Sequence, residues 1–213
     1  MSELKTPGHP RCALVILDAG PVNSLWVADR LDLILSVHLP VIMLDAIYDE
    51  LTSDTAYQKD HDVKAFIDGH PDTFSIRKTD FWQDQLKLRS LGEAIKKKNA
   101  GEIAISDFLT SESGLDAVVE MNDVVLVLGE DMKAMRRLFL PEPRVHSLGT
   151  IGFLLGLERI GIIPSAQEII AEMEAPTAPG RSLAMARKLS EPSDGLDDPA
   201  DRGSTWLPNF PEN

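Results

Sequence analysis

A single cysteine in 213 residues excludes an internal disulfide framework and suits a reducing cytosol. Cys12 opens the first apolar run and reads as a small buried hydrophobe. No apolar run is long and clean enough to span a bilayer. The greasiest stretch, SLGTIGFLLGLERIGII, is interrupted by Glu158 and Arg159. The opening MSELKTPGHPR lacks the apolar core of a secretory leader, so the expectation is a cytoplasmic protein away from membranes. Aromatic residues are sparse at 6%, which gives no sign of a base-stacking platform. Cations are few: 21 Lys and Arg face 34 Asp and Glu, a formal net charge of −13. That balance argues against whole-surface attraction to nucleic acid or anionic lipid, though a local basic groove stays open. No G-x-G-x-x-G follows a strand, which counts against a dinucleotide site. His9, His38, His61, His70 and His146 are scattered, and no Cys/His cluster points to zinc. No internal repeat is visible.

What the chain does have is short apolar runs alternating with helical patterns. Strands are expected at 13–17, 41–44, 73–77, 123–128 and, more weakly, 144–148. Between and after them, helices are expected from Pro21 to Val37, from a cap at Asp45 through Leu51, over 55–69, 81–98, 99–110, 132–138, 150–160 and 165–173. Strands joined by helical connections predict an α/β fold. The expected form is a three-layer α/β/α sandwich around a central parallel sheet. Residues 10–174 form the predicted domain. From Ala175 the composition turns to Pro, Ser, Asp and Gly, so 175–213 reads as a tail without a core, with one short helical candidate at 181–189. Folding of 181–213 back over the groove that holds the functional site, or contact with a partner or a second subunit, is a further expectation.

In parallel α/β sheets ligands sit beyond the carboxyl ends of strands. Asp18 ends the run ALVILDAGPV at such a place. Glu50 follows the second strand in LDAIYDELT. Glu102 stands near the start of the helix in NAGEIAISDF, and Asp131 follows DVVLVL in GEDMKAM. Each acid alone has an ordinary explanation. Asp18 and Asp131 suit helix caps, as does Glu130; Glu50 suits a solvated face; Asn99 and Glu102 approximate a capping box. Together they make an acidic cluster whose members repel one another, and a hard divalent cation with oxygen ligands, Mg²⁺ or Mn²⁺, relieves that repulsion. Such a site activates water for attack on a phosphodiester. Cations to meet the phosphate backbone are available in Lys96, Lys97 and Lys98 and in Lys133, Arg136 and Arg137.

VILDAGPV, LDAIYDEL, NAGEIAI and VLVLGEDMKAMRRL, in that order, resemble the PIN domain found in VapC-like toxins of prokaryotic toxin–antitoxin pairs. The closing VHSLGTIGFLLGLERIGIIPSAQEII resembles the C-terminal part of one PIN subgroup, with its Gly-Thr turn and its Gly-Ile-Ile-Pro. The resemblance covers roughly 10–174. It implies a Mg²⁺- or Mn²⁺-dependent endoribonuclease, an antitoxin partner and a homodimer. It implies Asp18 and Glu102 as metal ligands, Asp131 for a second metal or a metal-bound water, and Glu50 to orient or deprotonate the attacking water. The chain departs from the pattern twice: the family often has Ser or Thr where Gly20 and Gly129 stand. Asn23 and Ser24 are the candidates to replace the first hydroxyl. A second implied possibility is a PIN-like subunit that no longer cleaves and serves in RNA binding or complex assembly. A phosphoacceptor receiver is a poorer match, since 73–77 leads only to Asp80 and no acidic pair and lysine complete that frame.

Overall fold

The computed structural model describes residues 11–95, 99–111, 114–130, 143–177 and 181. Five parallel strands form one sheet: β1 (Cys12–Leu17), β2 (Val41–Leu44), β3 (Phe74–Arg77), β4 (Val124–Leu128) and β5 (Val145–Leu148), in the order β3-β2-β1-β4-β5. The flanking helices are α1 (Ala19–Val27), α2 (Asp45–Thr52), α3 (Gln58–Asp68), α4 (Asp80–Ser90), α5 (Ala100–Thr110), α6 (Leu115–Val118), α7 (Thr150–Arg159) and α8 (Ala166–Glu174). This is the α/β sandwich that the strand–helix alternation predicts. β1, β2 and β4 lie in the middle and are apolar on both faces: Ile16, Leu17, Val41, Met43, Leu44, Val125 and Val127 are almost completely buried. Such two-sided burial is why these strands read as continuous apolar runs rather than alternating ones. No described helix is long and apolar enough to cross a membrane.

Local departures from expectation have local causes. The helix expected from Pro21 to Val37 breaks after Val27. Asp29 takes a left-handed conformation (φ 58°), and a 3₁₀ helix, Leu31–Val37, follows. An aspartate tolerates that conformation better than most side chains do. The helix expected over 81–98 ends at Ser90, just before Gly92 at φ 78°. The short α6 had no signal in the sequence. The helix expected at 132–138 lies outside the described residues, as does the tail helix at 181–189 apart from Arg181 itself.

Asp45 departs in role. It is the first residue of α2, and the cap position belongs to Leu44. Its carboxylate accepts the Ala46 N–H (3.0 Å), the Thr79 N–H (3.2 Å), the Thr79 hydroxyl (2.8 Å) and the Gln83 amide (2.7 Å). Thr79 in turn caps α4 by accepting from the Trp82 N–H. One carboxylate therefore ties the end of β2 to the start of α4. Asp45→Ala leaves the buried Thr79 N–H without its acceptor and is expected to cost about 2–3 kcal/mol. The check is a lowered urea midpoint at unchanged m-value.

Candidate functional site

The strand order reverses between β1 and β4. β1 leads outward to β2 and β3 on one side, and β4 leads to β5 on the other. Where connections diverge, the carboxyl ends of adjacent strands leave a crevice. Leu17 of β1 pairs with Leu128 of β4, and the Asp18 N–H donates to the Leu128 carbonyl (2.9 Å). Asp18 and the residues after Leu128 are thereby brought to the lip of the same crevice.

Asp18 occupies the cap position of α1, yet its side chain makes no cap bond to the helix's second or third N–H. Ordinary capping does not account for it. Its carboxyl is pushed up to about 7. Loss of solvent is the largest cause, followed by repulsion from Glu102, with Glu50 and Glu130 adding to it and the Ala19 N–H opposing it. Glu50 sits exposed on α2, and its carboxyl is also held above the usual range, first by loss of solvent and then by Glu102, with Lys59 acting against both. Asn99 takes a left-handed conformation (φ 57°) and makes no side-chain cap bond, so the capping box expected with Glu102 does not form through it. Three of the four sequence-predicted acids, Asp18, Glu50 and Glu102, thus act on one another electrostatically.

Gly101 explains how α5 comes so close. A Cβ there would stand 3.0 Å from Asp18 Oδ1 and 3.2 Å from Ile47 Cγ1. The glycine next to Glu102 is the residue that lets the helix meet the β1 end.

The fourth predicted acid, Asp131, lies outside the described residues, and so do Lys96, Lys97, Lys98, Lys133, Arg136 and Arg137. Its neighbour Glu130 is in the crevice. One carboxylate oxygen, Oε1, accepts the Ser24 hydroxyl (3.2 Å) and, in a short bond, the Thr150 hydroxyl. Ser24 and Thr150 are both buried, at 1% and 2% exposure. Ser24 sits one turn along α1 from Gly20, and Thr150 opens α7 directly after β5. A Cβ on Gly20 would stand 2.4 Å from Glu130 Cγ. Glu130 thus fills the space beside Gly20, and Ser24 supplies it a hydroxyl from the next turn of α1. Asn23, the other candidate, is buried, and its Oδ1 has no hydrogen-bond partner among the described residues. Sequence reasoning passed over Glu130 in favour of Asp131 and gave Thr150 no role at the site. The Gly-Thr pair at 149–150 was the available signal.

The donor set is all oxygen: Asp18, Glu50, Glu102 and Glu130, with two hydroxyls behind. That chemistry suits a hard divalent cation. Among the described residues no three His, Cys, Asp or Glu side chains stand in ready metal-holding geometry. Cys12 plays no part. Burial pushes its thiol up to about 11, and its Sγ lies 3.6 Å from the Leu14 carbonyl.

No family model, curated protein or solved structure matches the chain.

Proposed function

We propose that the chain is a divalent-metal-dependent endoribonuclease of PIN type, acting as the cytoplasmic toxin of a toxin–antitoxin pair. The observation that carries this reading is Asp18 at the strand-order reversal, where burial first and then the charges of Glu102, Glu50 and Glu130 raise its carboxyl to about 7. Acids that raise the proton affinity of a buried carboxyl in this way favour positive charge supplied from outside. We read that balance as favouring a cation site over a purely structural network.

Asp18 and Glu102 would hold Mg²⁺ or Mn²⁺, and Asp131 would serve a second metal or a bound water. When bound, the cation supplies a clamp on the phosphate oxygens and a more acidic water. Glu130 is locked by Ser24 and Thr150 and so keeps one orientation while the cation comes and goes. Glu50, on the exposed rim, would orient the attacking water and take its proton. Its raised affinity for a proton brings it nearer to neutral working pH. Lys98, Lys133, Arg136 and Arg137 are the proposed phosphate contacts. An antitoxin would neutralise the pocket by occupying it, and pairing of two copies is part of the same reading.

The test is calorimetric Mn²⁺ binding beside RNA cleavage, for the wild type and for Glu102→Gln. The wild type is expected to bind the ion and cleave, and the variant to lose affinity and rate by about 100-fold or more. Absence of ion binding by the wild type would end the metal reading. Gly20 and Gly129, which replace the usual hydroxyls, favour one alternative: a PIN-like subunit that binds RNA or assembles complexes without cleaving. Ion binding with no cleavage of diverse RNAs is its expected result.

A further inference from the structure

Arg181 reaches across 155 positions of sequence to the far end of α1. Its guanidinium carbon lies 4.8 Å from the centre of the Trp26 ring. Nη1 donates to the Trp26 carbonyl and pairs with Asp29 Oδ1 (2.8 Å), while Nη2 stands 3.8 Å from Asp62 Oδ2. Asp62 is itself fixed: the Trp26 indole N–H donates to Oδ2 (3.0 Å) and the Gln58 amide to Oδ1 (2.6 Å), with His61 Nδ1 at 3.5 Å. The Arg181 side chain is only 19% exposed. A flat aromatic face, two carboxylates and a helix-terminal carbonyl thus converge on one planar cation. Each of these favours a guanidinium, and the planar fork is the feature a lysine lacks. The carbonyl belongs to the last turn of α1, which carries no basic residue of its own. Arg181 supplies from outside the positive charge that a helix C-terminus favours. The left-handed Asp29 turns the chain just beyond that carbonyl, and its carboxylate meets the guanidinium there.

We propose that Trp26, Asp29 and Asp62 form a guanidinium-binding site whose resident ligand is the chain's own Arg181, and that this contact anchors the segment after α8. The site lies at the opposite end of α1 from Asp18. Trp26 stands eight positions along the helix from Asp18, a rise of about 12 Å. Arg181 is therefore held at the flank formed by α1 and α3, away from the acidic crevice. This site is independent of the ribonuclease reading.

The test uses the full chain and the indole N–H resonances of its three tryptophans, with Trp26 assigned from Trp26→Phe. Arg181→Ala is expected to move the Trp26 resonance and leave that of Trp82 in place. Methylguanidinium should then return the Trp26 signal toward its wild-type position, saturably, with half-saturation at about 10 mM or below. Arg181→Ala combined with Asp62→Asn should give no saturable return, and Arg181→Lys should keep the shifted position. An unmoved Trp26 resonance in Arg181→Ala, or a linear response to methylguanidinium, overturns the site. A wild-type Trp26 resonance that shifts on dilution overturns the assignment to the chain's own arginine and gives the place to a second copy.

Discussion

Asp18→Asn is expected to make the metal-free protein more stable and, at the same time, inactive. The carboxyl of Asp18 is raised from 3.8 to about 7 in the fold. Between those values the folded chain keeps a proton that the unfolded chain has released. Stability of the metal-free protein therefore falls as pH rises from about 4 to 7, and the deficit is complete above 7. An asparagine carries no charge to desolvate and meets no repulsion from Glu102, Glu50 or Glu130. At pH 8 the gain should be about 1–3 kcal/mol, or a melting temperature higher by about 5 °C. At pH 4.5 the two proteins should melt nearly together. Adding Mn²⁺ at pH 8 should raise the wild type much more than Asp18→Asn, because the variant lacks one of the proposed ligands. RNA cleavage should drop by about 100-fold or more in the variant. Thermal melts at two pH values, with and without Mn²⁺, test the electrostatic claim without any RNA. A variant that melts no higher than the wild type at pH 8 would show that the crevice is not under charge strain.

Gly20→Ser is expected to damage the site. The new Cβ would stand 2.4 Å from Glu130 Cγ and 3.1 Å from Glu130 Cβ. Those atoms lie near the backbone, where a side chain has little room to yield. Glu130 would have to leave Ser24 and Thr150, which hold its carboxylate. Displacement of this kind is expected to cost about 1–3 kcal/mol of stability and about 10- to 100-fold in cleavage. Glu130→Ala in the same chain should remove the clash. The double variant should recover most of the lost stability, with a coupling energy of at least about 1 kcal/mol in the cycle. Gly20→Ala separates the effect of bulk from that of the hydroxyl. Additive effects of Gly20→Ser and Glu130→Ala would falsify the claim that the glycine exists to seat the glutamate.

The five strands and their parallel arrangement were legible because central parallel strands are apolar on both faces, and VVLVL or VIML admits few other readings. Helix ends were less legible. Nothing around Ala28–Arg30 demands a break, since neither glycine nor proline stands there, and the turn rests on Asp29 adopting a left-handed backbone. Asp45 resembled a simple cap because its true partners, Thr79 and Gln83, are more than 30 positions away. The acidic crevice was partly legible. Asp18, Glu50 and Glu102 could be named because each closely follows a strand or opens a helix. Glu130 could not be preferred to Asp131 from spacing alone, as adjacent residues after a strand point different ways. What distinguishes it is the pairing of a small residue at 20 with hydroxyls at 24 and 150, three positions joined only by the fold. The Arg181 contact was beyond reach for the same reason: composition marked its surroundings as a tail, and composition says nothing of one side chain's address.

The strand order has a consequence for how the protein is made. β1, β2 and β3 lie side by side in sequence order, so that half of the sheet has its partners as soon as Arg77 has been synthesised. β4 must then return to the free edge of β1, and only that pairing brings Glu130 to Asp18. Thr150, which holds Glu130, is made later still. At ribosomal rates of about 5–20 residues per second, some 6–20 seconds pass between the emergence of Asp18 and that of Glu130. Throughout that interval the nascent chain carries half of a crevice and no complete acidic cluster.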